Sequence, residues 1–225
     1  MFEQFRERSH ELERLDTGDY TPTEYARWER EMRWIHGVFG EQRALKQTML
    51  KAIPADVPVS ILDVGAGTGG MLSFVRQKLN GQNGLLAGIE IDEAGAAATS
   101  ASGAHAVRAD GRRLPFDDGS FDHAYSTLVL HHFEDENATV LLAEMARVSR
   151  GNIYAVDLNR DPLAYYMYKA FGSLFLQGLT REDGALSILR SRTSDELTTL
   201  AYQAGLRDIA VTPSRVNRLV LSGRK

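Results

Sequence analysis

The stretch Ile61-Leu62-Asp63-Val64-Gly65-Ala66-Gly67-Thr68-Gly69-Gly70 constrains this chain more than any other. It opens as an apolar run fit for a buried strand and breaks into four glycines within six residues. The following segment, 71–79, carries apolar residues at helical spacing. A strand, a glycine turn and a helix bring a backbone close to a nucleotide-like ligand. Glycine is needed in such a turn because a side chain would block the approach or forbid the conformation.

Strands and helices alternate from this unit onward. Strands are expected at 59–64, 85–91, 104–109, 121–130 (with an end near Thr127) and 152–157. Helices are expected from the glycine turn to about residue 80, at 93–101 and at 137–149, with loops at 81–84 and 112–120. Such alternation predicts a parallel sheet covered on both faces, an α/β fold. A further helix, capped by Thr193 or Ser194, runs through Ala204 and is ended by Gly205. Segments 206–212 and 216–222 flank Pro213 and read as a terminal antiparallel hairpin.

Two stretches stand outside the alternation. Residues 1–53 read as a charged helical extension. Phe2, Phe5, Leu12 and Leu15 form a loose stripe, and residues 16–19 are a break. Thr21-Pro22 starts an amphipathic helix carrying Tyr25, Trp28, Met32, Ile35 and Phe39. Another helix covers 41–53, closed by Pro54. This extension is either a layer on the core or a lid over a ligand. The segment 158–192 is an insertion: an aromatic-rich helix at 162–177, then a polar turn at 181–184. The domain proper spans 54–225.

Partners are bounded by composition. The net charge is -4 with no basic block, so no nucleic acid is expected. The absence of cysteine excludes disulfides and thiolate metal sites and fits a reducing cytoplasm; no metal is expected. No apolar run approaches the roughly 20 residues that span a bilayer. The expectation is a cytoplasmic chain, monomeric or homodimeric, acting on a small molecule.

Gly65-x-Gly67-x-x-Gly70 satisfies the dinucleotide fingerprint, and Glu90 lies 20 residues past Gly70 at the end of the next strand. An acid there accepts hydrogen bonds from ribose hydroxyls. NAD and S-adenosylmethionine (SAM) both carry an adenosine, so both remain open on these residues. Asp63 bears on the choice. A pyrophosphate disfavours a nearby carboxylate, whereas a ligand that is cationic at sulfur and nitrogen tolerates one.

Asp63-x-Gly65-x-Gly67-x-Gly69, with Thr68, resembles the first motif of class I SAM-dependent methyltransferases. Three later segments, 108–111, 114–122 and 128–133, resemble that family in order and spacing. The last resembles the branch of ubiquinone and menaquinone biosynthesis methyltransferases. The resemblance implies a Rossmann-like seven-stranded sheet, five parallel strands followed by a hairpin, with SAM as donor and S-adenosylhomocysteine as product. It further implies that Asp63, Gly65, Ala66, Gly67 and Gly69 line the methionine part of SAM. Glu90 would bind the ribose, Ile91 would pack on the adenine, and Asp110 and Gly111 would meet the adenine edge. Thr127 and Leu128 would lie near the transferred methyl. Phe121 reads as core and Asp122 as a structural acid bonded to backbone.

Methyl transfer from a sulfonium is an in-line displacement, in which positioning does much of the work. A base is needed where the acceptor is a weakly acidic hydroxyl, a protonated amine or a carbon acid. His131 and His132 are candidates, with Asp157 at the end of the fifth strand. Asn159 and Arg160 could hold an acceptor or anchor the next helix. Tyr165, Tyr166, Tyr168, Phe171 and Phe175 suggest a pocket for a flat, apolar phenol, quinone or polyketide. The absence of an Asn-Pro-Pro-aromatic tetrapeptide favours an oxygen or carbon acceptor. The rival readings are a non-catalytic SAM-binding or sensor protein and an NAD-dependent oxidoreductase.

Overall fold

All four residues of β1 (Ile61–Val64) are buried, as a strand between two parallel neighbours must be. β1 pairs in parallel with β2 (Leu86–Glu90) and β4 (His123–Thr127). β3 (His105–Arg108) extends the sheet beyond β2, and β5 (Ile153–Leu158) extends it beyond β4. An antiparallel pair, β6 (Arg207–Ser214) and β7 (Arg218–Arg224), completes a seven-stranded sheet of order β3-β2-β1-β4-β5-β7-β6. The computed structural model describes residues 3–38, 40–55, 57–79 and 84–225. Phe2, Phe39 and most of the loop at 81–84 lie outside them.

Alternation of side chains along β1 divides the core. Leu62 and Val64 join a cluster with α7 (Asp135–Val148) and α10 (Ser194–Gln203). Ile61 joins a cluster on the other face with α5 (Gly70–Leu79) and with Ala44, Leu45 and Met49. Those three belong to α3 (Glu41–Gln47) and α4 (Met49–Ala52), so part of the first 53 residues is built into the sheet's covering layer. Arg218 of β7 fastens it there, donating from Nε to Glu41 Oε1 at 2.6 Å; the two side chains are 5% and 0% exposed.

Several elements differ from the sequence expectation. The fourth strand is short, because Phe121 forms only an isolated bridge with Ser149 and the chain leaves the sheet at Leu128, whose φ is 56°. Pro213 is not the hairpin turn but pairs with Leu219 inside β6. β6 is the edge strand, where a missing N–H is tolerated. The turn falls on Val216 and Asn217, with φ of 55° and 60°.

The insertion is a helix pair, α8 (Pro162–Phe175) and α9 (Gly178–Arg190). The polar turn expected at 181–184 is inside α9. Asp183 is buried and accepts the N–H groups of Arg14 and Leu15 at 2.9 and 3.1 Å. Gly184 admits the Tyr168 ring, whose hydroxyl would stand 2.1 Å from a Cβ there. Packing thus recruits a segment whose composition reads as a loop. Residues 3–17 form an arm over this pair, ending in the short helix α1 (Arg14–Thr17). Phe5 packs on Tyr165 and Ile188, and Arg8 donates to the carbonyls of Arg190 and Phe133. α2 (Pro22–Val38) lines one cavity together with residues at the carboxyl ends of β1, β2 and β4, and α6 (Glu93–Ala101) follows β2. Among the described residues no helix is long and apolar enough to cross a membrane.

Candidate active site

The glycine turn sits at the carboxyl end of β1. Gly65, Gly67 and Gly69 have φ of 80°, 53° and 72°, a region that side chains disfavour. The N–H groups of Gly65 and Ala66 both bond the Ile89 carbonyl at 2.9 Å, which ties the turn to β2. A Cβ at Gly65 would stand 2.5 Å from Val129, whereas one at Gly67 would meet nothing within 4 Å. Glu90 closes the corner: its carboxylate accepts from Gly67 N at 2.8 Å and from Ile91 N at 2.8 Å.

The turn lines a cavity of about 810 Å³. Gly65, Ala66, Gly67, Thr68, Glu90, Thr127 and Leu128 line it, with the small residues Ala94, Gly95 and Ala98 of α6 beside Glu90. Trp28, Met32 and Ile35 of α2 cover it, together with a stack of Tyr20 on Tyr25 (5.3 Å between ring centres) and Tyr25 on Trp28 (5.4 Å). Met167, Tyr168 and Phe171 of α8 complete the apolar wall. Of the other aromatic residues singled out there, Tyr165 is buried against Phe5, while Tyr166 and Phe175 are exposed.

Part of the lining is polar. His131 follows the left-handed Leu128 in a 3₁₀ turn, Leu130–His132. Asp157, at the end of β5, lies 2.6 Å from His131 Nδ1 and accepts the N–H groups of His131 and Leu158 at 3.1 and 2.7 Å. Burial acts to raise the Asp157 pKa, but the His131 ring and these backbone donors hold it below the usual carboxylate range. With Nδ1 engaged, Nε2 is the nitrogen left to the cavity. Glu13, from the arm, places Oε1 3.9 Å from it and accepts from Ser187 Oγ at 2.8 Å. Burial pushes Glu13 up to about 7. His132 stacks near His131 (4.2 Å between rings), with its Nδ1 3.2 Å from Asp16 Oδ1. Arg190 pairs with Asp16 and lies 3.6 Å from Glu13.

Several residues proposed from the sequence do not line the cavity. Asp63 is wholly buried within β1; neither carboxyl oxygen has a hydrogen-bond partner, and burial pushes its pKa up to about 7. Gly69 faces away, against Ser102 and Thr99. Ile91 is 63% exposed rather than packed on the wall. Asp110 is held by Arg112, whose Nη2 lies 2.6 Å away, and Gly111 packs toward Leu141 and Val64. Asp157 stands behind His131. Arg160 is an anchor, not an acceptor ligand: it donates to Glu196 and to the Ser191 and Phe5 carbonyls. The Asn159 backbone carbonyl accepts from Asn217 Nδ2 at 2.8 Å. Asp122 accepts Ser60 N and Oγ at 2.8 Å, and Phe121 is in the core, both as expected. Glu13, Asp16, Ser187 and Arg190 carried no sequence signal.

Residues 61–152 match the family model described as a methyltransferase domain. No curated protein matches the chain. Magnesium protoporphyrin IX methyltransferase from Synechocystis PCC 6803, solved with bound SAH, has a similar fold: TM-score 0.61, 17% identity, 95% of this chain and 100% of that one. A SAM-dependent methyltransferase from Thermotoga maritima, described as a possible histamine N-methyltransferase, aligns with TM-score 0.63 at 17% identity over 88% and 95%. Mitomycin 7-O-methyltransferase aligns with TM-score 0.66 at 18% identity, over 95% of this chain and 61% of that one. At these identities the structural likeness establishes a shared fold.

Proposed function

We propose that this chain, whose residues 61–152 match a methyltransferase-domain model, transfers a methyl group from SAM to an oxygen or carbon of a small, apolar, aromatic acceptor. The observation that carries this reading is a single cavity lined both by the glycine turn with Glu90 and by His131.

The residues present suit SAM. The open space at Gly67 admits a ligand against the backbone. Each oxygen of Glu90 has two lone pairs, so it can accept from ribose hydroxyls while keeping its bonds to Gly67 and Ile91. Ala94, Gly95 and Ala98 leave room beside it for the nucleoside. Thr127 and Leu128 would flank the sulfonium. Ile91, Asp110 and Gly111 would lie at the outer edge of the adenine.

An acceptor between α2, α8 and His131 would meet mostly apolar wall, and a cavity of about 810 Å³ holds both donor and acceptor. The acceptor hydroxyl oxygen attacks the methyl carbon, an O–C bond forms, and the S–C electron pair passes to sulfur. The hydroxyl proton goes to His131 Nε2, whose ring Asp157 orients. Such proton removal contributes roughly 10²- to 10⁴-fold. α2 would serve as the lid that excludes water. The test is incubation with methyl-labelled SAM and a panel of phenols, quinones and polyketides. Label should appear in an aromatic acceptor with wild type and be lost with His131→Ala; transfer only to amines or proteins would overturn the assignment.

A further inference from the structure

We propose that Glu13, His131 and His132 bind one divalent first-row transition-metal ion in the wall of the cavity. One ligand atom from each lies within 4.8 Å of the others, and all three residues line the cavity. The 3.9 Å between Glu13 Oε1 and His131 Nε2 is too long for a hydrogen bond. It suits two ligands of one ion, each about 2.1 Å from it, which stand roughly 3–4 Å apart.

Both imidazoles are oriented for this role. Asp157 faces Nδ1 of His131 at 2.6 Å, and Asp16 faces Nδ1 of His132 at 3.2 Å. A carboxylate on one ring nitrogen fixes the tautomer that presents the other as a lone pair, the usual second layer of a metal site. Two histidines with separately held partners converge on one buried carboxylate, which is more order than a lone base requires. Glu13 is 3% exposed, and burial works against its charge. The cation already present, Arg190, is engaged more closely with Asp16 than with Glu13. Two imidazoles and one carboxylate favour Zn2+, Co2+, Ni2+ or Fe2+ over Mg2+ and Ca2+.

Three protein ligands leave positions open toward the cavity, as in catalytic sites. An acceptor hydroxyl bound there would release its proton more readily, and His131 would then act as a ligand instead of a base. That role rests on the methyl-transfer reading; the ion binding does not. Because Glu13 belongs to the arm, the ion would also pin residues 3–17 to the 3₁₀ turn.

The test uses the whole chain with Zn2+ alone by calorimetry and Co2+ alone by visible absorption. One ion per chain is expected, with Co2+ bands of a nitrogen- and oxygen-ligated site. Glu13→Gln and His132→Gln should each weaken binding at least tenfold, and Asp157→Asn about 10- to 100-fold. SAM affinity of Glu13→Gln and His132→Gln should stay within threefold of wild type. Absence of stoichiometric binding, or binding unchanged in both ligand variants, overturns the proposal. His132 is one-third exposed, so its variant serves if Glu13→Gln fails to fold. A chain that binds Zn2+ but not SAM supports the metal site and sinks the methyltransferase reading.

Discussion

Asp63→Asn tests how the acid of the glycine-turn strand is accommodated. The carboxyl is 0% exposed, with both oxygens unpartnered among the protein atoms. Burial and the charge of Glu90 push it from 3.8 up to about 7. The Tyr125 hydroxyl beside it lowers the value in part, though it lies outside hydrogen-bonding geometry. A folded-state pKa above the unfolded one means the folded chain holds its proton more tightly. Stability from this group is therefore fully present below about 3.8, falls as pH rises, and is lost above about 7. The whole displacement corresponds to about 4 kcal/mol, of which about 2 kcal/mol falls between pH 5.5 and 8.5 at 1.36 kcal/mol per pH unit. Asparagine does not titrate. Urea unfolding of both proteins at pH 5.5 and 8.5 isolates the effect, because any fixed cost of the amide cancels between the two pH values. The variant should gain about 2 kcal/mol on wild type from the lower pH to the higher. A difference that stays within about 0.5 kcal/mol would refute the reasoning, since the group would then ionise normally.

Other outcomes follow from single contacts. Glu90→Ala removes the charged acceptor at the ribose position and should weaken SAM about 10- to 100-fold by calorimetry, at about 1.5–3 kcal/mol per charged hydrogen bond; unchanged affinity would dismiss the ribose role. Asp157→Asn should lower the methyl-transfer kcat by about 10²-fold or more while SAM binds as before. Arg218→Ala removes a buried guanidinium that pairs with the buried Glu41 carboxylate and should cost about 3–5 kcal/mol by urea unfolding. Arg218→Met combined with Glu41→Gln should recover most of that loss, because the buried charge is then gone.

The part of the molecule nearest the glycine turn was legible because its signals are local. Four glycines, an apolar run before them and an acid at the next strand end specify a turn and its neighbour whatever lies elsewhere. The parallel order of the sheet followed from alternation alone. What could not be read depends on contacts between distant segments. Asp63 is adjacent to the turn in sequence, yet the pleat directs its side chain into the interior instead of the cavity. The residues 181–184 look like a surface turn until Asp183 is seen capping the arm and Gly184 receiving Tyr168. Glu13 approaches His131 only because Phe5, Arg8 and Asp16 strap the arm onto α9, so the absence of cysteine gave no warning of a nitrogen and oxygen ligand set. The first 53 residues admitted a covering layer or a lid. The structure divides them, with α3 and α4 in the core and α2 over the cavity.

Methyl transfer by this chain requires the cavity beside Gly67 and Glu90 to be a SAM site. Titration of the wild-type chain with SAM and, separately, with NAD tests this most directly. The expected result is one SAM per chain with a dissociation constant at or below the micromolar range and no heat from NAD. Saturable binding of NAD with none of SAM would contradict it.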